Sequence, residues 1–537
     1  MSRVQVVGVH PGAELRRRPR LFAALSQAFP EVRFEAREAG ETADLAALIE
    51  LGGESGARSA TASGLRALAA LELERDPGAA VVAEFASSGS FDRRLHGQAL
   101  PDRHLHGTTA LTPAGGAEVL ARIAEGPLWV REGLLDVVAV APSELADAEP
   151  LRDRLGGERS IALLPLLELL RELTVETAWR PPPLRAAFLL DDPNLHWPSY
   201  GFLSLPHLSS HAAAHGYHLA LAMVPLDARI AHPAAARLLR ESAEISLCVH
   251  GNDHFGGELG RVREQDDALT LAAQSLRRIA AFERRTGLPV SRVMVPPHEE
   301  CSEPMAAALA RTEFAAITMT RPFPWLSAPP KHWLTASGQS TAVTGWDPAD
   351  ITDSGLPVLL RHPFADAHFS PAEVALRAYL DQPLILYGHH DDLADGLGVL
   401  AERSATVNRL GDVSWGSLGA LATANVSWRL EGDLLRLRPY SRQISIEVPL
   451  EARQIVVEPG WDPAGEVVAS PAGIVPAGQP FAVAAGERLE LRLRRLDAAS
   501  PDAVAAPSPR PWPLIRRLAG ETRDRLAPVR RRLRSRA

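Results

Sequence analysis

The chain has 537 residues, 46% hydrophobic and 23% charged, which is the balance of folded soluble domains at a length that calls for two to four separate cores. Its formal net charge of −8 is unevenly spread: from Arg510 to Ala537 ten arginines stand against Glu521 and Asp524, so this tail carries +8 and everything before it −16. An acidic body of this kind excludes nucleic acid as its partner and leaves only the tail basic enough for a polyanion.

Residues 1–178 alternate strand-like runs with helical spacing. VQVVGVH (4–10), EVRFEAR (31–37), AAVVAEFA (79–86) and DVVAVAP (136–142) read as strands, while RLFAALSQAF (20–29) and GGAEVLARIAEG (115–126) carry apolar residues at helical intervals. The alternation predicts an open α/β domain. No GxGxxG or GxxxxGK[ST] follows any of these strands, so nucleotide binding has no support. The layer has some likeness to amidotransferase domains, but it contains no cysteine to act as their nucleophile.

TAWRPPPLR (177–185) is a proline-stiffened link, after which the pattern changes. Seven apolar runs follow: RAAFLL (185–190), HLALAMV (218–224), EISLCV (244–249), SRVMV (291–295), FAAITM (314–319), PVLLR (357–361) and PLILY (383–387). Most are separated by helix-sized segments such as 262–285 and 371–380. Seven parallel strands with crossover helices predict a (β/α)7 barrel over 183–425, with chemistry on the loops at the C-terminal strand ends. An open doubly wound sheet would put its site at the same ends. Short, turn-bounded runs over 426–497, among them VSWRLEGDLLRLRP (426–439) and RLELRLRRL (488–496), predict a small β-sandwich. A Pro/Ala-rich linker and the basic tail make up 498–537.

Titratable residues stand directly after four of the barrel strands. The first run ends in Asp191-Asp192, the third in His250-Gly-Asn-Asp-His254, the fourth in Pro296-Pro297-His298-Glu299 and the seventh in Gly388-His389-His390-Asp391-Asp392. A barrel serving only as scaffold has no need to gather such groups at one end. Two imidazoles four apart and one carboxylate suit a divalent metal with positions left open, zinc above all. His250, His254 and Asp192 are the expected ligands, with Asp191 left free as a base.

LLDD (189–192), HGNDH (250–254), VPPH (295–298) and LYGHH (386–390), in this order, resemble the motifs of the polysaccharide deacetylase (NodB-homology, carbohydrate esterase 4-like) family over about 183–425. The resemblance implies a metal-dependent hydrolase that removes acyl groups, N-acetyl in the first place, from a carbohydrate or glycan precursor. It implies Asp192, His250 and His254 as metal ligands and Asp191 as the general base. His389 would be the general acid, with His390 as the fallback. The chain departs from the family pattern at Val295, where an arginine that steadies the base is usual, and at TRPFPW (320–325), which replaces an acidic D-x-x-D-W motif. Arg321 and Arg361, both at strand ends, are candidates to replace the arginine. These losses keep open an alternative from another class, a glycan-binding protein with a degenerate barrel.

Cys248 and Cys301 form no disulfide framework, and MSRVQVVGVHPG runs straight into a strand without an export-type leader, so a cytoplasmic protein is expected, in contact with the inner membrane face if the tail binds it. No run is long and apolar enough to span a bilayer. Within 510–537, Ile515, Leu518, Thr522, Leu526, Val529 and Leu533 recur every three or four residues among arginines. That spacing fits either an interfacial helix on anionic lipid or a solvated tail, with Pro528 interrupting the repeat.

Overall fold

A computed structural model describes residues 4–38, 40–147, 149–156, 158–176, 179–321, 345–471, 473–507 and 511–534. From residue 322 onward the TRPFPW segment lies outside them. The N-terminal domain is built on a nine-stranded sheet. Its parallel half runs Val32–Ala36, Gln5–His10, Ala47–Leu51, Arg66–Leu73 and Leu135–Ala141. The sheet then continues antiparallel through Gly126–Glu132, Glu118–Ile123, Val81–Phe85 and Ala99–Asp102.

One expectation fails here. GGAEVLARIAEG is not a helix: Glu118–Ile123 is a strand and turns through Ala124-Glu125 into its antiparallel partner. The pairing slips at Val119/Ala121 and again at Ala121/Arg122. Those irregularities break the two-residue alternation of a strand and leave Val119, Leu120 and Ile123 at a spacing that imitates a helix.

The central domain is a closed barrel of seven parallel strands. These are Arg185–Asp191, Leu219–Met223, Ile245–His250, Val290–Val295, Ala316–Met319, Pro357–Pro363 and Leu384–Gly388, and the seventh pairs back onto the first. Period-two alternation sorts their side chains. Ala187, Leu189, Ala220, Ala222, Cys248, Val293, Ala316, Leu359 and Ile385 fill the interior, whereas Phe188, Leu190, Leu221, Val249 and Met294 pack outward under the helices. Alanine recurs inside because a barrel of so few strands has little room at its axis. The long helix Gln265–Thr286 buries Ala268, Ala272, Leu276, Ile279 and Phe282 on the outer wall, a stripe at helical spacing.

After the barrel come two four-stranded sheets that enclose one core, including Leu435, Leu437, Ile444, Ile455, Leu491 and Leu493: the small β-sandwich. The basic tail is a helix, Pro511–Arg534, which continues through Pro528. Among the described residues no helix is long and apolar enough to cross a membrane.

Candidate functional site

The same alternation that fills the barrel builds its mouth. Asp191 follows Ala187 and Leu189 in the inward phase, His250 follows Cys248, Arg361 follows Leu359, and Tyr387 follows Ile385. The topmost inward layer is therefore polar, and it is nearly closed to solvent: Asp191, His250 and Arg361 are each 2–3% exposed.

Asp192 falls in the wrong phase to join this layer. It takes a left-handed conformation (φ 77°) that carries its carboxylate back over the mouth. His254 (φ 53°), His298 (φ 57°) and Glu299 (φ 57°) share that conformation, which is uncommon outside glycine and tends to persist where function requires it.

Asp192, His250 and His254 converge, each offering one ligand atom within 4.8 Å of the other two. Asp192 Oδ1 stands 3.9 Å from His250 Nε2 and 3.3 Å from His254 Nε2. Donors about 2.0–2.2 Å from a tetrahedral ion lie about 3.3–3.6 Å apart; the Asp192–His254 pair falls in that range and the Asp192–His250 pair just beyond it, so the set is compatible with a metal ion. His250 Nδ1 donates to the Val295 carbonyl at 2.9 Å, which fixes the tautomer and leaves Nε2 with its lone pair toward the centre. Burial pushes both imidazoles down to about 4, so they are neutral and able to ligate near pH 7. Burial opposes ionisation of Asp192 as well, but in the acid range, where the two imidazoles carry charge, they and Arg517 outweigh it and hold the carboxyl well below its usual range.

The loop carrying His254 is held from beneath. Glu258 accepts from the backbone N–H groups of Asn252, Asp253 and His254 at 2.6–3.0 Å, and Arg278 donates to the Asn252 side chain at 2.7 Å. His254 also rests against His298, with ring centroids 4.9 Å apart.

Asp191 takes a different partner. Arg361 Nη1 donates to both of its carboxylate oxygens, at 3.0 and 2.9 Å, and Arg361 Nε donates to Glu299 at 2.7 Å. Of the two arginines expected beside Asp191, it is therefore Arg361, on the sixth barrel strand, that pairs with it. Arg361 lies 4.2 Å over the Tyr387 ring, which fixes its plane. Burial raises the Asp191 carboxyl above its usual range, and the charges of Arg361 and His389 only partly offset this.

His389 is exposed at the end of the seventh strand, near enough for its charge to act on both aspartates. His390 is buried instead, packed against Tyr200 and Phe202 with centroids at 5.2 and 6.0 Å. Cys248 is fully buried in the barrel interior.

The sequence gives no hint of what covers this mouth. The helix Pro511–Arg534 runs across it and touches the loops after four strands. Arg517 pairs with Asp227 and donates to Asp192 Oδ1 at 3.2 Å. Glu521 meets His196 at 2.6 Å, and Tyr200 donates to Asp524 at 2.9 Å. Arg516 reaches the His254 carbonyl and Arg531 reaches Asp395. Asp227 follows the second strand and could have been found by the strand-end rule; Arg517 and Glu521 carry no local signal.

A cation held by Asp192, His250 and His254 would share with Arg517 the same carboxylate oxygen. Arg517→Ala is expected to tighten divalent-metal binding by about tenfold, since a like charge a few ångströms away is removed. Competition against a chromogenic chelator measures this, and unchanged affinity would show that the guanidinium does not compete.

No family model matches the sequence, and no curated protein matches it. Solved structures match part of it. A carbohydrate esterase 4 (CE4) enzyme of Streptococcus mutans shares 11% identity over 44% of this chain and 85% of its own, with a TM-score of 0.27. A family 4 carbohydrate esterase of Streptomyces lividans, in complex with acetate, shares 13% over 43% and 86%, at 0.23. A CE4 family pseudoenzyme of Bacillus anthracis shares 10% over 45% and 67%, at 0.25. These structures come from the family that the motifs resemble. At such identities and scores they transfer no activity, and what the site can do rests on its own residues.

Proposed function

We propose that the protein is a divalent-metal-dependent hydrolase that removes acyl groups, N-acetyl in the first place, from a carbohydrate or glycan precursor. One observation carries this reading: a buried Asp191–Arg361 pair lies next to a converging Asp192/His250/His254 set at the mouth of a parallel barrel. Asp192, His250 and His254 would hold the cation, zinc being the best fit to two nitrogens and one carboxylate. When bound, it supplies Lewis acidity toward the acyl carbonyl oxygen and the attacking water.

The remaining work belongs to the chain. Asp191, oriented by two hydrogen bonds from Arg361, accepts a proton from the attacking water as its oxygen bonds to the acyl carbon. His389 gives a proton to the amine nitrogen as the carbon–nitrogen bond breaks, leaving a free carboxylate and an amine. Arg361 is a positioning residue, and Glu299 shares its guanidinium so that the plane cannot swing away.

The Arg517–Asp192 contact favours a second reading, a glycan-binding barrel without turnover. Release of acetate from N-acetylated sugars and their oligomers, with zinc added and Asp191→Asn as control, separates the two. Acetate above the control supports the hydrolase; glycan binding without acetate release supports the second reading.

A further inference from the structure

The tail helix has two faces. Pro513, Arg517, Glu521, Asp524 and Pro528 lie on the side turned to the barrel mouth. On the opposite side Trp512, Ile515, Leu518, Leu526, Val529 and Leu533 are 42–63% exposed, an apolar stripe at helical spacing interrupted at Thr522. Arg523 and Arg530 flank it in solvent. Capping the mouth uses only the first face and does not account for the second.

The surroundings extend the stripe. Trp197, Ile230 and Phe255, in the loops after the first three barrel strands, are exposed at the same end of the molecule. Arg525 and Arg516 lie over Trp197 and Phe255 at 5.9 and 5.0 Å. Nine of the seventeen exposed large hydrophobic residues among the described residues belong to this helix and rim. Concentration of this kind marks a binding surface rather than scattered surface apolarity.

We propose that this face docks the protein on an anionic lipid bilayer, with the barrel mouth turned toward the membrane plane. Apolar side chains flanked by arginines match the boundary between acyl chains and anionic headgroups. A second copy of the chain is a poor occupant, because two segments of charge +8 would meet face to face. The docking surface does not depend on whether the site turns over substrate.

Sedimentation of the full chain with vesicles tests it, using phosphatidylcholine alone and phosphatidylcholine with one third phosphatidylglycerol. Binding to the mixed vesicles only, weakened by salt, is expected. The double variant Leu518→Glu/Leu526→Glu should lower partitioning by at least about tenfold, because it removes apolar contact and adds like charge to the surface. Both side chains face solvent, so its melting temperature should match the wild type. Absence of binding to either vesicle overturns the proposal. Equal binding by wild type and double variant also overturns it, since the attachment would then be the charge of the tail alone. A wild-type dimer that the double variant dissociates, without vesicle binding, would assign the face to self-association instead.

Discussion

Asp191→Asn is expected to lower acyl hydrolysis by about 10²–10⁴-fold while the protein keeps its metal and its fold. Asparagine occupies nearly the same volume and can still meet Arg361 through its amide oxygen, but it cannot accept a proton from water. Asp192, His250 and His254 form their cluster without Asp191, so metal content should not change. The measurement is a paired one: acetate release per minute and metal per chain, wild type against variant. Loss of both together would place Asp191 among the ligands. Retention of full activity would remove it from the mechanism.

Arg361→Ala should produce the largest loss of stability of any single change at the site, about 3–5 kcal/mol. Arg361 is 2% exposed and bonds to Asp191 and Glu299 at once. Its removal leaves a buried carboxylate without a countercharge and a void above Tyr387. Arg361→Ala combined with Asp191→Asn removes the unpaired charge along with its partner, so the double variant should be much less destabilised than the sum of the two single losses. Urea unfolding of the two single variants and the double variant reads this directly. Simple additivity would show that the two side chains are not coupled, and the positioning role would fall with that result.

The barrel and the cluster were legible because an apolar run ending in Asp, His or Arg reports both its strand and its exit. Asp191, Asp192, His250, His389 and Arg361 can be picked out in this way, each within one or two residues of a strand terminus, and His254 by its spacing of four from His250. Which arginine would serve Asp191 was open between Arg321 and Arg361. The choice follows from barrel closure, which pairs the seventh strand with both the first and the sixth and so brings Arg361 beside Asp191.

What stayed hidden has two physical causes. Arg517 touches Asp192 across 325 residues of chain, and no spacing rule reports where a helix docks once a domain has closed beneath it. The slipped hairpin at Glu118–Ile123 failed for a local reason, since its bulged strand has a helix-like pattern of apolar residues. The tail was readable as amphipathic, but its double use was not. Its polar face closes the mouth and its apolar face is left to solvent, and only the placement of the helix separates those roles.

Metal content tests the central claim most directly. Full-length protein, purified without added chelator, equilibrated with zinc and passed over a desalting column, should retain about one divalent ion per chain. His254→Ala should lose it while its melting temperature in the metal-free state stays close to that of the wild type, because His254 sits on a mouth loop rather than in the barrel core. Equal metal in wild type and variant, or none in either at saturating zinc, would contradict the account.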